Sequence, residues 1–575
     1  MLKLFRYMQP YRNAVLMVLL FTFLQCLAEL YLPTLMADIV DIGILTGDIP
    51  YIWRVGGFML LVAALGMLCS IAASYLAAKA ASGYGQILRG RVFTHVGNFT
   101  LHEFDKLGTA SLITRTTNDI TQIQQVTIMM LRMMVIAPLM CVGGIIMAVS
   151  RDTGLTSVLL IVLPVLALAI FLIAKKGIPL FKAIQVKIDT LSRVVRENLT
   201  GMRVIRSFNR MSHEKVRFND ANEDLTATSI KVNKIMGAMM PIMMLVMNFA
   251  TVAIVWFGGH RINAGHMMVG DLMAFLQYAM MIMFSLIMLS VMFVMIPRAQ
   301  ASAVRIQEVL SLVPEIKDTD KEPAATGQKG VVEFEDVTFY YPGAEEPALS
   351  NISFRTGPGE ITAIIGGTGS GKSTLISLIP RFYDITSGRL LVDGVDVRDL
   401  KQEQLRSRIG LVPQKALLFT GTIADNIRYG KEDASMEEIQ HAAEVAQAAD
   451  FISKMEGGYE AVISQGGSNV SGGQKQRLSI ARALVRKPEI YLFDDSFSAL
   501  DFKTDAKLRA ALREETGDAA VLIVAQRVST VMDADRIIVL DEGRVAGIGT
   551  HAELMENSRV YREIVASQLS EEEIA

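Results

Sequence analysis

The chain is poor in cysteine, has no excess of charge of either sign, and lacks charge altogether over long runs of its first 300 residues. Its three cysteines, Cys26, Cys69 and Cys141, all lie in apolar stretches. They form no CxxC or metal-ligand spacing, which excludes a disulfide framework, and they read as small buried hydrophobes. The 56 Lys and Arg nearly cancel the 58 Asp and Glu, so the basic footprint of a nucleic-acid binder is missing. No small-residue cleavage site follows the basic opening M-L-K-L-F-R-Y-M-Q-P-Y-R-N, and the apolar stretch after it outruns a signal peptide. Residues 1–12 therefore read as an interfacial elbow ahead of a membrane span.

What is present divides into two halves. Apolar residues make up 51% of the chain, and they crowd the first 300 positions. A span needs about 20 apolar residues, and six stretches qualify: about 14–37, 55–78, 133–150, 153–174, 235–259 and 272–297. Only Arg151 and Asp152 separate the third and fourth, which implies a tight hairpin. Loop 38–53 carries no Lys or Arg, whereas 79–132 and 175–234 carry many, including Lys175, Lys176, Arg203, Arg206 and Arg210. The bias places those two long loops and both termini in the cytoplasm. Helical periodicity continues through the loops, with turns expected at His102–Leu107 and Asn209–Glu214.

Several polar or soft residues in the spans have two readings. Glu29 is either a contact for polar cargo or an acid paired within the bundle. Gln25, Asn248 and Gln277 are cargo contacts or interhelical hydrogen bonds. The methionines of the last two spans, among them Met239, Met240, Met243, Met244, Met280, Met281, Met283 and Met288, suit a surface that accepts several apolar shapes or ordinary helix packing. The charged stretch K-D-T-D-K-E-P-A-A-T-G-Q-K-G, 317–330, reads as a linker.

The remainder alternates like a soluble α/β domain. The strand pattern I-T-A-I-I runs into G-G-T-G-S-G-K-S-T, so Gly366, Gly367, Thr368, Gly369, Ser370, Gly371, Lys372, Ser373 and Thr374 match a P-loop. Backbone N–H groups there curl around phosphates, Lys372 neutralises them, and Ser373 binds Mg²⁺. A second apolar strand, I-Y-L-F, ends in Asp494 and Asp495, where an acid beside a P-loop holds Mg²⁺. Between them N-V-S-G-G-Q-K-Q-R opens a helix with Ser471, Gly472, Gly473 and Gln474, another anion-binding backbone site.

These three motifs together resemble the ATP-binding-cassette exporters, over essentially the whole chain. The resemblance implies an all-α six-helix transmembrane domain, 1–316, then the linker, then an α/β P-loop nucleotide-binding domain, 331–575, with a RecA-like core plus a helical subdomain. It implies ATP and Mg²⁺ as cofactors, Tyr341 stacking on adenine, and Gln414 sensing Mg²⁺ and the γ-phosphate. It makes Ser471–Gln474 the signature, S-A-L-D (498–501) the loop at a dimer seam, and the two cytoplasmic turns the coupling helices. ATP in such proteins lies between the P-loop of one subunit and the signature of another, so a partner subunit is implied.

Two positions depart from the family pattern. Asp495 stands where a glutamate polarises the attacking water, and its side chain is one methylene shorter; a misplacement of about 1 Å can cost roughly 10²-fold. Gln526 stands where a histidine contacts the γ-phosphate, and an amide cannot serve as acid or base. The signature is intact apart from Val470 in place of leucine, and S-Q-G-G (464–467) replaces an acid and an arginine. The expectation is a subunit with a degenerate, weakly hydrolytic ATP site, paired with a second half-transporter to whose site it donates its signature. The pair would be a bacterial heterodimeric multidrug exporter in the cytoplasmic membrane, moving small amphipathic cargo across the lipid bilayer and binding no nucleic acid. A specific lipid, peptide or tetrapyrrole cargo is the alternative, and an ATP-gated regulator or channel is the alternative of another class.

Overall fold

The computed structural model describes residues 2–319 and 327–568. Half of the linker, 320–326, lies outside them. The described chain forms two compact units, one of residues 1–97 and 107–313, the other of 98–106 and 314–575.

The first unit is helical. Six helices are long and apolar enough to cross a membrane: Arg12–Asp38, Ile49–Gly97, Asn118–Arg151, Thr156–Thr200, Met211–Asn263 and Val269–Ser311. Five expected spans fall inside one, and the fourth, 153–174, begins in the turn just ahead of its helix. The helices extend well past bilayer length because Lys, Arg and Gln take over from apolar residues, and even Pro179 in one extension does not end its helix. Ahead of them, Leu2–Phe5 and Arg6–Tyr11 form a short helix and a 3-10 turn.

The hairpin at Arg151-Asp152 is fixed by charge. Arg151 pairs with Asp271 at 2.8 Å and Arg261 pairs with Asp152 at 2.8 Å. Asp152 also accepts from the Leu155 N–H and so caps the next helix. At the same end Asp41 accepts from the Gly270 N–H at 2.6 Å; a Cβ at Gly270 would stand 2.5 Å from the Ala37 carbonyl. At the opposite end buried Asp119 is held by Arg305 and by Ser302 at 2.9 Å.

The polar residues of the spans sort differently. Glu29 is half-buried and accepts from Gln25 Nε2 at 2.9 Å within its own helix. Asn248 and Gln277 are exposed. Met243 and Met283 are buried core residues, while Met240, Met244 and Met280 face outward. One turn shifts from its expected position. Met202–Ser207 is a short helix, and Asn209, at φ +51°, ends it in the left-handed conformation that asparagine tolerates. Residues 211–214 therefore already belong to the Met211–Asn263 helix rather than to the turn.

The second unit carries twelve strands among the described residues: β1 Val332–Phe339, β2 Leu349–Thr356, β3 Ile361–Gly366, β4 Ser387–Val392, β5 Val395–Asp396, β6 Ile409–Val412, β7 Gly421–Thr422, β8 Val462–Ile463, β9 Ile490–Asp494, β10 Ala520–Val524, β11 Arg536–Asp541 and β12 Arg544–Gly549. A four-stranded antiparallel sheet runs β2-β1-β4-β5, and a six-stranded sheet runs β12-β11-β3-β10-β9-β6. Its strands β11, β3, β10, β9 and β6 are parallel, and β10, A-V-L-I-V, is buried throughout, as a sheet covered on both faces requires. Parallel pairing of β3, β10 and β9 brings their C-terminal ends side by side. Ligands of open α/β sheets bind there. Residues 101–107 form a short helix, and Glu103 on it is buried in this second unit.

Candidate functional site

The loop 366–374 leaves β3 and enters the Lys372–Leu378 helix. Gly366 permits close packing: a Cβ there would stand 2.1 Å from the Leu540 carbonyl. Gly369 (φ +84°) and Gly371 (φ +97°) take left-handed turns, and this curls the loop into a cradle of N–H groups. Lys372 folds back into that cradle. Its ammonium donates to the Gly366 and Gly367 carbonyls at 2.9 and 2.6 Å and to Ser370 Oγ at 3.4 Å. Burial lowers its pKa, against the pull of Asp495 and Asp494. These loop carbonyls hold the charge where phosphate oxygens would take it over.

Ser373 Oγ donates to Asp494 Oδ1 at 2.9 Å, which places the hydroxyl and carboxylate that would hold Mg²⁺ in contact. Burial raises the Asp494 pKa; the Ser373 hydrogen bond and Lys372 oppose the rise and the Asp495 charge adds to it. A cation there would relieve that strain between the two carboxylates. Tyr341, 38% exposed, hydrogen-bonds to Thr374 Oγ1 at 2.9 Å and meets Phe339 and Tyr383 in T-shaped contacts. Residues and geometry thus fit a nucleoside triphosphate with its Mg²⁺, which 366–374, Ser373, Gln414, Asp494 and Tyr341 would hold.

The two departures from the family pattern meet at one atom. Asp495 Oδ2 accepts from Gln526 Nε2 at 2.9 Å and from Gln414 Nε2 at 3.3 Å. Asp495 itself is buried, at φ +47°; its N–H donates to the Val524 carbonyl at 2.9 Å and its carbonyl accepts from Ser498 Oγ at 3.0 Å. Backbone and side chain are both committed. The loop behind Gln526 is held by a residue that no sequence pattern marks: Gln568 Nε2 donates to the Gln526 carbonyl, and its Oε1 accepts from the Val528 N–H, both at 2.8 Å.

The signature stands apart. Ser471 caps the Gly472–Leu484 helix in a reciprocal box with Gln474: the Ser471 N–H donates to Gln474 Oε1 at 2.8 Å and Ser471 Oγ accepts from the Gln474 N–H at 3.3 Å. Gly473 passes close under the Ala499 carbonyl. Among the described residues no hydrogen bond joins Ser471–Gln474 to the P-loop. Gly466 and Gly467, in the S-Q-G-G stretch, have positive φ, and Asn469 closes that loop by accepting from Ser464 N–H at 3.0 Å and donating to the Val462 carbonyl at 2.8 Å.

Comparison with known proteins agrees with both halves. The model of the ABC transporter transmembrane region matches residues 15–286, and the ABC transporter model matches 349–498. An uncharacterized ABC transporter ATP-binding protein of Mycobacterium tuberculosis is 45% identical over 98% of this chain and 97% of its own. An ATP-dependent lipid A-core flippase of Chromobacterium violaceum is 32% identical over 99% and 97%. A solved bacterial Atm1-family ABC exporter with ATP bound superposes with a TM-score of 0.81 at 27% identity, covering 97% of this chain and 99% of that one.

Proposed function

The chain belongs to the ABC transporter family in its exporter form, a multi-pass membrane protein driven by ATP, and from that premise we propose that it is one half of a heterodimer, with an ATP site that holds nucleotide and hydrolyses it weakly. The observation that carries the proposal is the double donation onto Asp495 Oδ2 from Gln526 and Gln414. A base that polarises water needs a free, basic oxygen within reach. The Asp495 carboxylate is short by a methylene, and two amides already occupy one of its oxygens. Gln526 brings neither a charge nor a proton to the site. A positioned acid/base group is worth about 10²–10⁴-fold, and both weaknesses fall on one site.

A homodimer of this chain would have two such sites. The Ser471–Gln474 cap, by contrast, is complete and leaves the Gly472 N–H end of its helix exposed for an anion from another subunit. The chain therefore serves the partner's site with its signature while its own site keeps ATP bound and holds the two nucleotide-binding domains together. Hydrolysis at the partner's site resets the transporter. Both termini lie on the cytoplasmic side of a bacterial cytoplasmic membrane.

The cargo is amphipathic and partly apolar, drug-like in the first reading. The outward-facing Met240, Met244 and Met280 support a surface that accepts several apolar shapes. A lipid cargo is the second reading, favoured by the likeness to a protein named as a lipid A-core flippase. The test is ATPase activity of the purified chain alone and together with a half-transporter encoded beside it. Near-inactivity alone and activity of the pair support the proposal. A normal exporter rate from the chain alone overturns it.

A further inference from the structure

The short helix Leu2–Phe5 and the turn Arg6–Tyr11 lie against the Ile49–Gly97 helix. Leu4 is fully buried, Phe5 stacks on Tyr84 with ring centroids 6.2 Å apart, and a Cβ at Gly83 would stand 2.0 Å from the Tyr11 hydroxyl. Beside this contact runs an open groove of about 1140 Å³ lined by Arg6, Tyr7, Arg12 and Asn13 on one side and Arg91 and Thr94 on the other.

Three exposed arginines from positions up to 85 residues apart thus line one groove. Among the described residues none of the three has an ion-pair or hydrogen-bond partner, although Arg6 lies over the Tyr7 ring at 5.7 Å. Nor can a neighbour on these segments supply one, because residues 1–28 and 49–102 contain no Asp or Glu. The general enrichment of Arg and Lys beside spans explains why such residues occur here. It does not explain why they meet, with hydroxyl and amide groups between them, since like charges brought together repel unless an anion joins them.

Guanidinium forks match phosphate oxygens two at a time. Asn13 immediately precedes the first span, and the helix surface that follows is apolar and exposed, with Leu16 at 62% and Leu20 at 49%. A free phosphate gains nothing from that surface, whereas a diacyl lipid can lay its chains along it. We propose that the groove is a binding site for the phosphate headgroup of an anionic phospholipid in the bordering leaflet. Arg6, Arg12 and Arg91 hold the phosphate, Tyr7, Asn13 and Thr94 bond the polar headgroup, and the acyl chains follow the 12–38 helix. The proposal rests on the membrane-spanning fold and is independent of the heterodimer reading.

The experiment uses the full chain in mixed micelles, with dioleoylphosphatidylglycerol, dioleoylphosphatidylcholine or inorganic phosphate as probe. Native mass spectrometry reads the lipid retained, and thermal unfolding reads the shift. Phosphatidylglycerol is expected to be retained and to raise Tm, while phosphatidylcholine and phosphate do neither. The variant R12Q/R91Q is expected to weaken phosphatidylglycerol binding about 30-fold, from roughly 1 kcal/mol per basic residue. R12K/R91K keeps the charge but loses the two-point fork, so it is expected to bind phosphatidylglycerol more weakly than the parent and more strongly than R12Q/R91Q; if the glutamine variant fails to fold, binding by the lysine variant equal to the parent's overturns the proposal. K175Q/K176Q removes two charges beside another span and is expected to bind as the parent does. Equal loss in K175Q/K176Q, equal shifts from the two lipids, or a shift from phosphate matching that from phosphatidylglycerol each overturns the proposal.

Discussion

Gln526 Nε2 donates to Asp495 Oδ2 at 2.9 Å, so the two residues that depart from the family pattern are partners of each other. An amide with a short carboxylate makes a neutral donor and a satisfied acceptor. Gln414 adds a second donor to the same oxygen. The arrangement holds the carboxylate in place and lowers the basicity of one of its two oxygens, which weakens it as a base.

Restoring both groups should therefore restore turnover, and restoring one should not. Asp495→Glu with Gln526→His is expected to raise hydrolysis at this chain's own site by about 10²-fold or more. The measurement is single-turnover hydrolysis in a dimer whose partner lacks its own catalytic base. Asp495→Glu alone leaves Gln526 without an acid/base function and gains far less. If the double variant is no faster than the parent, the weakness of this site lies elsewhere.

Lys372 is held by the Gly366 and Gly367 carbonyls, and a nucleotide must draw it away. Lys372→Ala loses the charge that compensates the phosphates, and ATP should no longer stabilise this domain. For the parent at 100-fold excess over Kd, ligand linkage contributes about 2.7 kcal/mol. Thermal unfolding with and without Mg-ATP checks it, and a variant still shifted like the parent contradicts the assignment of the site.

The pair should respond asymmetrically to two substitutions in this chain. Ser471→Arg fills the helix end that serves the partner's site and is expected to abolish the ATPase activity of the pair. Asp495→Asn touches only a site that turns over slowly and should leave that activity nearly unchanged. Ser471→Ala separates function from folding, since loss of the cap costs about 1 kcal/mol without placing bulk at the helix end. Equal loss from Ser471→Arg and Asp495→Asn argues for two working sites.

Much of this was legible in the sequence. The six spans show as long apolar runs, uncharged but for Glu29 in the first, and the P-loop as a glycine pattern between a strand and a helix, because in each case neighbouring residues carry the signal. Asp495 and Gln526 stood out as departures, but their contact did not. They are 31 positions apart and meet only because β9 and β10 pair in parallel. Gln568 was invisible for the same reason, as it reaches the Gln526 backbone across 42 positions. The second cytoplasmic turn was placed late because M-R-V-I-R-S keeps a helical pattern through its own short helix, and only Asn209, in left-handed backbone, ends it. The arginine groove had no local signal either, since Arg12 and Arg91 are brought together by Tyr11 against Gly83.

Glu103 offers a test of how the 98–106 segment is held in the second unit. It is 2% exposed. Burial alone would raise its pKa, but donation from the Thr100 hydroxyl and from the N–H groups of Glu315 (3.0 Å) and Thr100 (2.6 Å) outweighs burial and lowers it. A carboxylate whose pKa falls on folding contributes stability above its unfolded value, about 4.3, and that contribution is lost as pH falls through the lower folded value. At pH 7 Glu103→Gln should loosen the segment by about 1–3 kcal/mol, the range for a buried hydrogen-bonded group that loses its charge. Hydrogen exchange of peptides covering 98–106 reads this, with the Lys372–Leu378 helix as an internal standard that should not change. Between pH 7 and pH 4 and below, after correction for intrinsic exchange, the parent should lose protection and the variant should not. Parallel pH curves for parent and variant would show that Glu103 is held by packing alone.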